Sequence, residues 1–277
     1  YKPFISLFLN VSKDHKPINE VVSLFNQLAN QSTLSIVNAD DDILKSIKKT
    51  LTFSLKAHAD WKPDQFKLNP LSCELIHGNY SYRLPLPGQH NLSNCAAALC
   101  TCEYLLCSQQ KLEEAVRKFE GVARRFSISK TTQGVTIVDD FAHNPEKIKA
   151  AVNASRGISD KLFVIYQPHG FGPTRFLKNE YIEAFKNCLN DSDTLYLLPI
   201  YYAGGTAQKD ISSQDLINGL IDKKFKSSAP ENRDVVLNSL KNTVQNGDCI
   251  LLMGARDPSL PSFAQKLVNL FGGKADS

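Results

Sequence analysis

A chain of 277 residues that is 42% hydrophobic carries enough apolar side chain for two packed cores, because single domains commonly run to about 100–150 residues. Its 32 basic and 28 acidic residues leave a net charge of +4, scattered along the chain with no basic block to track a phosphodiester backbone, which argues against dedicated nucleic-acid binding. The longest apolar runs, such as "FISLFL" and "TLYLLPIYYA", are too short to span a bilayer and follow no charged-then-apolar leader, so a soluble protein is expected, with no membrane partner.

The seven cysteines include no CxxC pair, and Cys95, Cys100, Cys102 and Cys107 share one Ala- and Leu-rich stretch, where they read as small core residues. A reducing cytoplasm without a zinc site is the expectation. Tyr1 is not a methionine and an apolar run begins almost at once, as though a domain were entered midway; a piece of a longer chain is expected.

"FISLFLN" (4–10) predicts a buried strand, and "INEVVSLFNQLA" (18–29) repeats apolar residues at helical spacing. "TLSIVNADD" predicts a strand running into a polar turn, followed by a short Lys-rich helix at 41–49. Residues 51–86 look β-rich, with "GNY" turning between "LSCELIH" and "SYRLPLP". After Pro87-Gly88, "NLSNCAAALCTCEYLL" predicts a helix and "LEEAVRKFEG" a second, stopped by Gly121. Strand and helix then alternate: "VTIVDD", helix 145–155, "KLFVIYQ", helix 177–189, "DTLYLLPI", helix 213–221, helix 231–245, "CILLMG", helix 259–270. That alternation predicts an α/β fold with a parallel, doubly wound sheet. The domain boundary is placed at 122/123, giving domains 1–122 and 123–277.

Ligands of such sheets sit beyond the carboxyl ends of the strands. Four strand ends, "DDFAHNP", "QPHGFGPTR", "YYAGG" and "GARDPS", should line one rim. Asp139 and Asp140 close an apolar strand, where unpaired carboxylates are costly; one could cap the helix starting near Pro145, and the other needs a ribose hydroxyl or a basic residue. His143 is either a loop histidine or a ligand contact. "QPHGFGPTR" sets two glycines and two prolines around His169, which argues for a defined loop but lacks the P-loop pattern. Arg124 and Arg125 in "GVARRFSI" could clamp a phosphate or bridge two domains through a carboxylate. Asp14 and His15 in "NVSKDH" suit a metal-phosphate site or a loop hydrogen bond.

Taken in order, "NVSKDH", "GQHNLSN", "GVARRF", "VDDFAHNP", "QPHGFGPTR" and "YYAGG" resemble the Mur ligase family, in particular its UDP-N-acetylmuramate:L-alanine ligase branch and the related murein-peptide ligases. The resemblance runs from about Tyr1 to "GDCILLMGA". It implies the later part of the family's central ATPase domain followed by a Rossmann-like C-terminal domain, without the N-terminal domain and the P-loop, so the missing N-terminal region of the same protein is an implied partner. It also implies ADP-forming amide synthesis: a muramoyl carboxylate takes the γ-phosphoryl group of ATP, the amine of an amino acid or peptide attacks the acyl phosphate, and phosphate leaves. ATP and Mg2+ are the implied cofactors, because cations must offset phosphate charge while three substrates are aligned.

By the same resemblance His15 is the magnesium ligand, Asn91 and Asn94 approach adenine, Arg125 reaches the ATP phosphates, and Asp140 binds the ribose hydroxyls. His143 and His169 face the amino substrate. The chain departs from the alanine-adding pattern DDYxHHP and QPHRYSRT at Phe141, Asn144, Gly170 and Pro173. Two guanidiniums that could grip an α-carboxylate are absent, and Arg175 or Arg256 is the expected replacement. The expectation is an ATP-dependent muramate ligase of the cytoplasm, inactive as this fragment alone; the alternative is a non-catalytic nucleotide- or precursor-binding module.

Overall fold

The computed structural model describes residues 2–12, 16–202, 204–220 and 223–274. The chain divides into two compact units, Tyr1–Glu120 and Gly121–Ser277.

In the first unit a three-stranded sheet has the order β1-β2-β3, from β1 (Ile5–Phe8), β2 (Leu34–Asn38) and β3 (Leu51–Phe53), all parallel. Helix α1 (Ile18–Gln31) lies between β1 and β2 in sequence and joins Phe8, Val37, Leu44 and Ile47 in a small core. The expected buried strand at 4–10 is shorter and only half-buried: β1 is an edge strand, with Phe4 61% and Leu7 38% exposed. The expected helix at 41–49 is a single 3-10 turn, Asp42–Ser46. Asp41 caps it by accepting from the amides of Ile43 and Leu44, and the chain extends at Ile47 to bury that side chain.

A second sheet, β4 (Gln65–Asn69), β5 (Ser72–His77) and β6 (Tyr80–Leu84), is an antiparallel meander. Gly78, at φ 57, opens the two-residue loop between β5 and β6, a backbone setting that glycine adopts without steric cost. Helix α2 (Gln89–Tyr104) packs Leu92, Ala96, Leu99 and Cys100 against Phe53, Cys73, Leu75 and Tyr82 in the main core of this unit. Helix α3 (Gln109–Arg117) buries no residue fully and ends short of the expected stop at Gly121, Phe119 already being 44% exposed. Of the four cysteines read as core, Cys95 and Cys100 are buried, Cys102 is half-buried and Cys107 is exposed.

The second unit is a six-stranded sheet in the order β11-β10-β9-β12-β8-β7, formed by β7 (Ser127–Lys130), β8 (Thr136–Asp140), β9 (Leu162–Tyr166), β10 (Thr194–Leu197), β11 (Lys226–Ser228) and β12 (Cys249–Met253). The sheet is parallel except for β7, an antiparallel edge strand on β8. Every residue of β8, β9 and β12 is buried, as continuous apolar strands covered on both faces require. Along β12, Cys249, Leu251 and Met253 meet α4 (Pro145–Arg156), α6 (Lys178–Cys188) and α7 (Ser213–Gly219) in one core. Ile250 and Leu252 face α8 (Arg233–Thr243) and α9 (Leu260–Leu270) in the other. The short α5 (Phe171–Phe176) precedes α6.

Leu106, just past α2, has φ 58 and is 91% exposed, so it bears left-handed strain of about 1–2 kcal/mol without burying its side chain. Leu106→Gly is expected to raise unfolding free energy by roughly 0.5–1 kcal/mol after the added unfolded-state entropy is counted; urea denaturation checks this.

Candidate active site

Strands β10, β9, β12 and β8 are parallel neighbours, with Leu197 opposite Tyr166, Tyr166 opposite Met253 and Met253 opposite Asp140. Their carboxyl ends are therefore level, and the segments that follow each strand start from one rim.

The two carboxylates at the end of β8 have different partners, because successive strand side chains point to opposite faces. Asp139 accepts from Arg124 Nε at 3.3 Å, and the same guanidinium donates to the carbonyls of Gly254 at 2.5 Å and Ala255 at 3.4 Å. Asp140 accepts from the amide of Phe126 at 2.8 Å and that of Ala142 at 2.7 Å, one on each carboxylate oxygen. Both residues are 8% exposed. Burial raises the Asp139 carboxyl above its ordinary range against the pull of Arg124. It raises Asp140 as well, opposed by the amides of Ala142 and Phe126. Neither aspartate caps α4. Asn144 does, its Oδ1 accepting from the Lys147 amide at 3.0 Å, since Asp139 and Asp140 still belong to β8.

The amide that Asp140 holds belongs to a strained turn. Arg124 and Phe126 have φ values of 58 and 57, each costing roughly 1–2 kcal/mol for an L-residue. The turn is fixed further by the Arg124 amide donating to Ser127 Oγ at 2.9 Å and the Phe141 amide donating to the Arg124 carbonyl at 2.7 Å. Phe126 buries its ring in the core, while Arg125 between the two strained residues is exposed. Both guanidinium centres, of Arg124 and Arg125, lie 5.1 Å from the centroid of the Phe141 ring, within cation–π range. Arg124 thus pairs with a carboxylate of its own unit, and Arg125 donates no side-chain hydrogen bond to any described residue.

His143 Nδ1 lies 2.9 Å from the Phe141 carbonyl; a carbonyl only accepts, so Nδ1 carries the proton and Nε2 is the acceptor, 3.4 Å from Lys147 Nζ. The hydroxyls of Tyr181 and Tyr166 donate to the His143 carbonyl at 2.7 and 3.2 Å. The ring of His143 meets that of His169 edge-on, with centroids 5.6 Å apart. Around His169, the Tyr201 amide donates to the Pro168 carbonyl and the Gly170 amide to the Tyr201 carbonyl, both at 2.8 Å, so the loops after β9 and β10 are stitched together.

Part of the expected loop 167–175 is wound into α5. Gly170 opens that helix at φ 70, and a Cβ there would stand 3.2 Å from Pro173 Cδ; the arginine of the related pattern does not suit this backbone. Arg175 is ion-paired with Asp210, an exposed pair worth little, and also donates to the Gln208 carbonyl at 3.3 Å.

Sequence reasoning missed Arg233. Its guanidinium donates to Gln167 Oε1 at 2.9 Å, Asp257 Oδ2 at 2.6 Å and Ser259 Oγ at 2.9 Å, and Gln167 donates onward to the Pro199 carbonyl at 3.3 Å. One side chain thereby fastens the ends of β9, β10 and β12. Burial pushes the Asp257 carboxyl up, but Ser259 and Arg233 together leave it below its ordinary range. Gly254 threads this network at φ 153; a Cβ there would lie 2.8 Å from Leu260 Cδ1 and 3.2 Å from the Gln167 carbonyl oxygen. Arg233 stands at an ordinary helix start in "ENRDVV", and no motif marks it.

Of the sequence-predicted residues, Arg125, Asp140, His143 and His169 lie on the rim of the second unit, with Arg175 in α5 and ion-paired. Asn91 and Asn94 lie on α2 of the first unit; Asn91 donates to the Pro87 carbonyl at 2.8 Å, and Asn94 is exposed. Asp14 and His15 lie outside the described residues. Among the described residues no group of three or more His, Cys, Asp or Glu side chains could hold a metal ion; His15, the expected magnesium ligand, is not one of those residues. The exposed guanidinium of Arg125 carries five donors, and each oxygen of Asp140 keeps a lone pair after accepting one amide. No described helix is long and apolar enough to cross a membrane.

Residues 1–102 match the family model described as the Mur ligase middle domain, and residues 124–256 match the Mur ligase glutamate ligase domain. The UDP-N-acetylmuramate–L-alanine ligase of Caldanaerobacter subterraneus subsp. tengcongensis is 29% identical over 275 residues, covering 92% of this chain and 59% of that protein. The chain thus spans about three fifths of the length of the curated relatives it matches. Among solved structures, MurF of Acinetobacter baumannii superposes with a TM-score of 0.77 at 17% identity, over 97% of this chain and 60% of that one. The UDP-N-acetylmuramate-alanine ligase of Thermotoga maritima gives 0.70 at 20% identity over the same shares.

Arg124→Met leaves Asp139 buried without its counter-charge and is expected to cost about 3–5 kcal/mol at neutral pH. The ionised form of Asp139 is the disfavoured one in the fold, so its penalty is absent below the ordinary value of 3.8, grows as pH rises from there to the raised folded value, and is constant above it. Chemical denaturation should therefore show the deficit of the variant shrinking toward pH 3.8, and Asp139→Asn added to the variant should recover much of it at neutral pH.

Proposed function

Because the chain belongs to the Mur ligase family, with the middle domain followed by the glutamate ligase domain, we propose that it is part of an ATP-dependent, ADP-forming ligase of the cytoplasm. The substrates are UDP-N-acetylmuramate and an amino acid, L-alanine-like, or a peptide, and the product serves peptidoglycan precursor synthesis or recycling. The muramoyl carboxylate attacks the γ-phosphoryl group of ATP, ADP leaves, the amine displaces phosphate from the acyl phosphate, and an amide results.

The observation that carries this reading is the exposed guanidinium of Arg125, displayed from a strained turn that the buried Asp140 carboxylate holds. Arg125 binds the phosphates and offsets charge as the phosphoryl group moves. Asp140 uses its remaining lone pairs for the ribose hydroxyls while its amide bonds keep the turn in place. Asn91 and Asn94 bind adenine. His143 Nε2, already the acceptor of its ring, faces the incoming amine with His169 beside it, and Arg175 is the remaining substrate contact. Magnesium supplies charge neutralisation to phosphoryl transfer when bound, and His15 is assigned as its ligand. The binding-module reading is favoured by one observation, the left-handed Gly170, where an added Cβ would press on Pro173 at 3.2 Å and a carboxylate-gripping arginine is disfavoured.

ADP release by the full-length protein, given UDP-N-acetylmuramate and, separately, alanine, glycine, serine or a stem tripeptide, tests the proposal. Turnover with one amine is expected, with kcat reduced about 100-fold or more by Arg125→Ala, whereas residues 1–277 alone should release none. A folded full-length protein silent with all four amines would favour the binding module.

A further inference from the structure

Helix α2 ends in a turn that sets two cysteines at its outer positions. The Leu106 amide donates to the Glu103 carbonyl at 2.9 Å and the Cys107 amide to the Cys102 carbonyl at 3.0 Å, with Leu106 at φ 58. These are the paired bonds and left-handed residue of a Schellman motif, in which the side chains at its two outer positions commonly touch. Here those positions are Cys102 and Cys107, joined through their main chains by the bond from the Cys107 amide to the Cys102 carbonyl. Cys107 is exposed and Cys102 half-buried. The remaining thiols lack this setting: Cys73, Cys95, Cys100 and Cys249 are buried, and burial pushes Cys95, Cys100 and Cys249 up to about 12. Cys188 is half-buried and is raised to about 12 as well.

We propose that Cys102 and Cys107 form a redox-responsive dithiol, closed to an intramolecular disulfide by hydroperoxides and reopened by small thiols. The exposed Cys107 thiolate attacks the peroxide oxygen, breaking the O–O bond to give a Cys107 sulfenic acid and hydroxide. Cys102 sulfur then attacks the Cys107 sulfur, the S–O bond breaks, and water leaves with the Cys102 proton. In sum two thiols lose two electrons and two protons, and one hydrogen peroxide becomes two waters. The two backbone bonds of the turn hold the residues at its outer positions, where side chains commonly meet. Between them Glu103 accepts from Trp61 Nε1 at 2.8 Å, and the cross-link would pin that contact and the last turn of α2. The Schellman turn gives Cys107 a resolving partner at fixed position, which is what separates a reversible sensor thiol from one that over-oxidises.

The test is to treat the reduced protein with hydrogen peroxide at a dose that oxidises glutathione in the same tube, alkylate with iodoacetamide, and cleave after Glu103. The expected result is a pair of peptides joined through Cys102 and Cys107, about 2 Da lighter than the reduced sum because two hydrogens are lost, unalkylated until dithiothreitol is added. In Cys107→Ser, an exposed and structurally mild change, Cys102 should remain alkylatable after the same treatment. Recovery of Cys107 as sulfinic acid with Cys102 alkylated, or of both residues alkylated in wild type, would overturn the proposal.

Discussion

The buried carboxylate of Asp140 is the constraint on which the rest of the rim depends. It ends β8, the strand that carries the chain to the rim, and spends one oxygen on the Phe126 amide and the other on the Ala142 amide. The first bond fixes the turn that enters the unit, and the second fixes the loop that leads to His143. Without it, two non-glycine residues in left-handed conformation would have little reason to stay there. Arg125 is displayed because its neighbours on both sides are held in costly positions.

The electrostatics around this point are balanced at close quarters. Asp139 and Asp140 are both raised by burial, and the fold tolerates them because Arg124 answers one while backbone amides answer the other. Arg124 also donates to the carbonyls of Gly254 and Ala255, so the counter-charge of β8 anchors the loop after β12. Arg233 repeats the device one strand further, linking Gln167 to Asp257. Phe141 is the shared platform, with a guanidinium from each member of the Arg124–Arg125 pair against its ring. For the proposed ligase, the arrangement keeps Arg125 oriented before any phosphate arrives, which lowers the reorganisation needed during phosphoryl transfer.

Much of this was legible in the sequence because its signals were local. Apolar runs ending in polar or glycine-rich segments located β8, β9, β10 and β12 and the rim beyond them, and the tandem Asp139-Asp140 asked for a ribose hydroxyl or a basic residue, of which Arg124 is the basic one on Asp139. Local signals failed where tertiary contacts decided the outcome. The capping role went to Asn144 because Asp139 and Asp140 remain in the strand. The helix expected at 41–49 shrank to one turn because burying Ile47 outweighed the propensity of its lysines. The edge strands β7 and β11 carry no continuous apolar pattern, so the alternation suggested a purely parallel sheet. Arg233 was invisible because its partners, Gln167 and Asp257, are distant in sequence. The thiols of Cys102 and Cys107 were misread as core because a run of alanines and leucines does not reveal where a helix turns outward.

Amide hydrogen exchange at Phe126, compared between the wild-type protein and Asp140→Ala, shows whether the Asp140 carboxylate holds the entry turn. If the Asp140 carboxylate holds the turn, the Phe126 amide is strongly protected in the wild type and loses that protection in the variant, together with Ala142, while β9 and β12 remain protected. Equal protection of Phe126 in the two proteins would contradict the account.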